Sequence, residues 1–121
     1  MSYFTTKFNL GALDEIVTDT DVDATVSSDI IVGSGKVYSI HLKNDDASNI
    51  AYFKASNSTN PTVGTTVPDL MLKIAAATEK VWTVVDGLAF TNFSFWATNE
   101  VGNDDDDTVA ADDLKAFLVL R

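Results

Sequence analysis

The chain has no cysteine, one histidine (His41), one arginine (Arg121) and two prolines in 121 residues. Without cysteine there is no disulfide scaffold, no thiol nucleophile and no Cys-based zinc or iron–sulfur site. A single histidine rules out a multi-His metal site within one chain. A single arginine leaves phosphate recognition without the planar forks it usually relies on. Basic charge is scarce altogether: 8 Lys and Arg stand against 18 Asp and Glu, a net charge of −10. Nucleic acid and anionic membrane are therefore not expected partners. No apolar run approaches the roughly 18 residues that cross a bilayer. The opening Met1-Ser2-Tyr3-Phe4-Thr5-Thr6-Lys7-Phe8 has neither a basic n-region nor an apolar h-region, so no leader is expected and the protein is expected to be soluble and made in a cytoplasm.

What is present suits one domain with one core. At this length a chain buries roughly two-thirds of its unfolded surface, and 45% hydrophobic residues place it outside the disordered class. Fifteen of the acidic residues are Asp and three are Glu. Glu and Arg, which favour helices, are nearly absent, whereas Thr, Ser and Val are abundant. Asp and Asn gather between apolar segments, where they serve turns. That is a β-rich inventory.

Residues 1–28 hold short apolar pieces such as Phe8-Asn9-Leu10-Gly11-Ala12-Leu13 and Ile16-Val17 without a sustained period. They read as an extended N-terminal arm or an edge strand, with the domain proper at 29–121. Asp29-Ile30-Ile31-Val32 forms a short strand ending at Gly33-Ser34-Gly35. Lys36-Val37-Tyr38-Ser39-Ile40-His41-Leu42-Lys43 then alternates with Tyr38, Ile40 and Leu42 on one face. The polar cluster from Asn44 to Asn49 turns the chain into Ile50-Ala51-Tyr52-Phe53-Lys54-Ala55, and a hairpin is the simplest pairing of these two strands. Asn60-Pro61, Gly64 and Pro68 punctuate a loop, after which Leu70, Leu72 and Ile74 share a face. A strand over residues 80–85 ends at an Asp86-Gly87 turn, and Phe93-Ser94-Phe95-Trp96-Ala97-Thr98 is the most aromatic strand. Residues 109–117 admit a helix capped by Thr108. The strand reading is preferred, because Phe117-Leu118-Val119-Leu120 is apolar on both faces, as a central strand is. Seven or eight short strands with a turn about every 8–12 residues predict an all-β fold, an antiparallel β-sandwich of jelly-roll-like type. Tyr38, Ile40, Leu42, Leu70, Leu72, Ile74, Phe95, Leu118 and Leu120 are its expected core.

Few residues offer chemistry. Asp19-Thr20-Asp21-Val22-Asp23 resembles the start of a calcium loop, but the sixth and twelfth positions of an EF-hand loop would be Ala24 and Ile30 rather than Gly and Glu. Asn103-Asp104-Asp105-Asp106-Asp107 concentrates negative charge that keeps a loop solvated, and a divalent cation is the one ligand it would suit. His41 lies opposite the apolar face of its strand, and no Ser sits in a G-x-S-x-G elbow. Gly33-Ser34-Gly35-Lys36 lacks the spacing of a phosphate loop. Trp82, Phe90, Phe93, Phe95 and Trp96 could form a stacking platform for sugar, or a core. Phe95 and Trp96 point to opposite faces of one strand, which suggests that one face meets another protein. No catalytic, cofactor-binding or metal-binding residue is assigned.

Over residues 36–121 the order of segments has a family likeness. An alternating strand is followed by Tyr52-Phe53-Lys54 and by Asn60-Pro61-Thr62-Val63-Gly64-Thr65-Thr66-Val67-Pro68, leading into Leu70-Met71-Leu72. Gly87-Leu88-Ala89-Phe90, an aromatic strand ending at Thr98, an Asp-rich loop and a final apolar strand complete it. This resembles small virion proteins of tailed bacteriophages, of the head-decoration or cement kind and their tail-associated relatives. The resemblance implies a β-sandwich without catalytic residues or cofactors that binds the major capsid protein and itself, as a homo-oligomer with a trimer favoured, on the capsid surface. Tail or fibre components and carbohydrate-binding modules are the alternatives. Tyr3, Phe4, Phe8 and Leu10 in the arm, and Trp96 in the aromatic strand, are the expected interface residues.

Overall fold

A computed structural model describes residues 3–9, 13–102, 107–110 and 113–121, with the backbone alone at 3–9, 13, 14, 29 and 32. Seven strands run in the order β1 (Tyr3–Asn9), β2 (Leu13–Asp19), β3 (Ser27–Asn44), β4 (Ala51–Ser56), β5 (Leu70–Ile74), β6 (Thr78–Thr98) and β7 (Leu114–Leu120). All neighbouring pairs are antiparallel, and the spatial order is β1-β2-β7-β3-β6-β4-β5. The fold is an all-β sandwich-like one, as the composition predicts. Among the described residues there is no helix, and so none long and apolar enough to cross a membrane. Residues 114–120 are the strand that the period-2 reading prefers, with Leu114, Ala116, Leu118 and Leu120 buried.

Two long strands make one sheet serve as two layers. β3 has 18 residues and β6 has 21. The later part of β3, residues 37–44, pairs with β7 and with the start of β6, extending the β1-β2-β7 layer. The end of β6, residues 94–98, pairs with β4, which pairs with β5 in the opposite layer. Both layers close over one core, in which Val17, Leu42 and Leu118 of the first meet Phe53, Ile74 and Phe95 of the second. Phe95 is the centre of an aromatic cluster, its ring 5.2 Å from Phe53 and 6.0 Å from Phe93.

The glycines expected to end strands bend them instead. Gly33 (φ 88°) and Gly87 (φ 78°) adopt the left-handed backbone that glycine tolerates. Here they mark irregularities within β3 and β6, so the expected pairs of short strands are fused into two long ones. A Cβ on Gly87 would lie 2.9 Å from Lys36 Cβ and from Tyr38 Cε1. Between the pairs Val37–Leu88 and Ser39–Thr83, β3 contributes one residue and β6 four, so residues 84–87 loop out of the ladder. On β3 the same irregularity resets the alternation: Val37 (1% exposed) and Ile40 (4%) are both buried, although three residues apart. Tyr38 is thereby displaced from the core face that it was expected to share with Ile40.

A further expectation is corrected by the topology. β3 and β4 form no hairpin, because β6 lies between them. The corner after β3 crosses from one layer to the other, pinned by buried Asn44, whose Nδ2 donates to the carbonyls of Asn49, Ile74 and Ala75. β3 begins at Ser27, two residues before the expected start of the domain proper. β2 pairs with β7, and Val17 and Val22 lie in the common core. Within residues 1–28, β1 is the edge strand, held to β2 along its length.

Candidate functional site: an apolar cleft at the open side of the sandwich

A β-strand pairs with two neighbours unless it lies at an edge. Residues 78–83 of β6 pair with β3 alone, and β5 pairs with β4 alone. These two edges belong to opposite layers and flank an opening into the sandwich. A cleft of ≈ 120 Å³ lies there, lined by Tyr38 and Ile40 of β3, Leu70 and Leu72 of β5, and Trp82, Val84 and Leu88 of β6. Its lining is predominantly apolar, with Ser39 and the Tyr38 hydroxyl its polar members. Leu70, Leu72, Tyr38 and Trp82 are half-buried rather than enclosed. Three of these were expected in the core, and alternation alone does not tell an interior side chain from one at the open mouth.

Beside the cleft the looped-out segment of β6 carries its own apolar side chains. Val84 and Leu88 stand at the mouth, and Val85 between them is 89% exposed, the most exposed large hydrophobic residue among the described residues. Lys36 Nζ donates to the Asp86 carbonyl at 3.2 Å and steadies the loop. Arg121 lies over the Tyr38 ring, 5.9 Å from its centroid. The cleft therefore offers apolar contact with charge at its margin. Around Trp82 the side chains are mostly apolar, which suits an apolar partner better than a sugar.

The residues expected at an interface fall elsewhere. Tyr3, Phe4 and Phe8 lie on β1, where they are opposite Asp19, Thr18 and Asp14 in the register, and Leu10 lies outside the described residues. Trp96 is corrected: at 1% exposure it is buried within its own chain. It pairs with Lys54 across β4 and β6, and Lys54 Nζ donates to the Gly102 carbonyl at 2.8 Å, so the segment after β6 folds back over this face. The outer face of the aromatic strand is thus covered by the chain itself, and no partner is needed to bury Trp96.

The candidate chemical groups are dispersed. His41 Nε2 is buried without a hydrogen bond, 3.4 Å from Glu79 Oε2, and its ring lies 5.3 Å from that of Phe117. The carboxylate beside it is that of Glu79 on the neighbouring strand, not the aspartate of a triad. Asp19, Asp21 and Asp23 do not converge on a cation. Instead Asp19 is buried at the end of β2, accepting from Asp21 N (2.9 Å) and more weakly from Ser27 Oγ (3.4 Å). Burial pushes its carboxyl up to about 6, with the charges of Asp21 and Asp23 adding to the rise against the two hydrogen bonds. Residues 103–106 of the second acidic run lie outside the described residues. Among the described residues no group of three or more His, Cys, Asp and Glu is placed to hold a metal.

Comparison with known proteins adds no identity: no family model, no curated protein and no solved structure matches this chain.

Proposed function

We propose that this chain is a structural protein of a tailed-phage virion, a decoration protein that binds the outside of the head shell and stabilises it by protein–protein contact. The observation that carries the reading is the apolar cleft with its projecting valine on an otherwise acidic sandwich. Apolar surface left open to water on a well-packed domain marks a place where another protein sits. The resemblance of the segment order to that of decoration proteins points to the shell as that partner, and contact of this kind requires neither a catalytic residue nor a cofactor. Made in the host cytoplasm, a chain of charge −10 stays soluble and is repelled by packaged DNA until it meets its apolar partner.

The reading is tested by adding the purified protein to phage heads that lack it. Binding should saturate at a fixed ratio to the major capsid protein and raise the temperature at which the shells release their DNA. Heads that neither bind the protein nor gain heat resistance would contradict it.

A further inference from the structure

We infer that a second copy of this chain packs on the open side of the sandwich, with the Val85 side chain of each copy seated in the apolar cleft of the other. The inference stands on the geometry of the cleft and is independent of the virion reading.

Three observations carry it. Val85 is 89% exposed and lies next to a cleft that it does not fill, so one surface presents both a projecting apolar side chain and an apolar hollow. Projection and hollow that adjoin on one face are satisfied reciprocally by a two-fold axis passing between them, which is the isologous arrangement most dimers use. Charge then selects the partner. The segments that form the seam, residues 69–74 and 78–88, carry Lys73 and Lys80 against Asp69, Glu79 and Asp86, and Lys36 is bonded to the Asp86 carbonyl. The seam is thus close to neutral, and nearly all of the net charge of −10 is carried by the rest of the molecule. Two copies that meet elsewhere set acidic surface against acidic surface, whereas seam on seam brings no net repulsion. The remaining observation is the backbone: along the described residues both strands at the seam have one side unpaired, so no described strand covers the opening. The pairing is two-fold, where the family resemblance would give a trimer.

Sedimentation equilibrium and native mass spectrometry across the micromolar range are expected to give the mass of two chains. Val85→Asp should weaken that dimer roughly tenfold or more, because it places a charge in an apolar contact at the centre of the interface. Val85→Lys should weaken it too, although it lowers the net negative charge, which separates loss of the apolar contact from general repulsion. Val85 is solvent-exposed in the isolated chain, so circular dichroism of both variants should match that of the parent. A parent protein that stays monomeric even at high salt, an assembly of any number other than two, or a dimer that both variants leave unchanged would overturn the inference.

Discussion

Phe95→Ala is expected to lower the unfolding free energy by about 3–5 kcal/mol, the range for removing a large buried aromatic. Phe95 has no exposed surface, stacks on Phe53 of β4 and touches Phe93 of its own strand. It stands on the part of β6 that joins the two layers, so the cavity would open where neither layer can collapse without moving the other. Domains of this size have a total stability of about 5–15 kcal/mol, so the variant should lose a large fraction of its margin. Urea unfolding followed by tryptophan fluorescence reads the change. A loss below about 1 kcal/mol would mean that Phe95 is not at the centre of the core.

The second large effect concerns Asp19. Its carboxyl is raised from 3.8 to about 6, chiefly by burial. A carboxyl that holds its proton more tightly in the folded chain makes its full contribution to stability below 3.8 and loses it as the pH rises through about 6. Above that range the fold must keep a buried charge held by two hydrogen bonds, with Asp21 and Asp23 adding like charge beside it. Asp19→Asn keeps the shape and an acceptor for Asp21 N while removing the charge. It should match the parent near pH 4 and exceed it by about 2–3 kcal/mol at pH 8, since each pKa unit is worth about 1.4 kcal/mol. Asp45 and Asp46 run the other way: Lys115 beside the first, and the Ser48 and Asn49 donors around the second, hold both carboxyls low. Their contributions are present above 3.8 and are lost as the pH falls through their lowered values. They act equally in parent and variant, so the difference between the two proteins isolates Asp19. A gap of constant size from pH 4 to 8, or a variant less stable at pH 8, would contradict the assignment.

The fold was legible in the sequence wherever period 2 held. Leu114, Ala116, Leu118 and Leu120 alternate without interruption and form a strand with that face buried. The same rule misplaced Tyr38, because the irregularity that makes Val37 and Ile40 both inward depends on pairing with β6, some fifty residues away. In the sequence Gly33 and Gly87 suit chain reversals, since a positive φ fits a tight turn and a bulge equally well. Only the partner strand decides between them. Trp96 was expected to need a second protein because one strand cannot bury two opposite faces against one core. The sequence contains no sign that residues 99–102 return over that face, a result of where Lys54 falls in the β4 register. The cleft was partly visible, as Leu70, Leu72 and Trp82 were all singled out as apolar. What the sequence lacked was the knowledge that β5 and the start of β6 become free edges of opposite layers. Val85 is the residue that sequence reasoning missed as a site, and a β-branched apolar side chain directly before Asp86-Gly87 was the signal that could have found it.

The central claim is that this chain is built to add contact area to a virion shell. The most direct test is its copy number in purified particles, measured by quantitative mass spectrometry against the major capsid protein. A decoration protein should be present in hundreds of copies, in a fixed ratio to the shell lattice. A dozen copies or fewer would place it in the tail instead, and its absence from purified particles would contradict the account altogether.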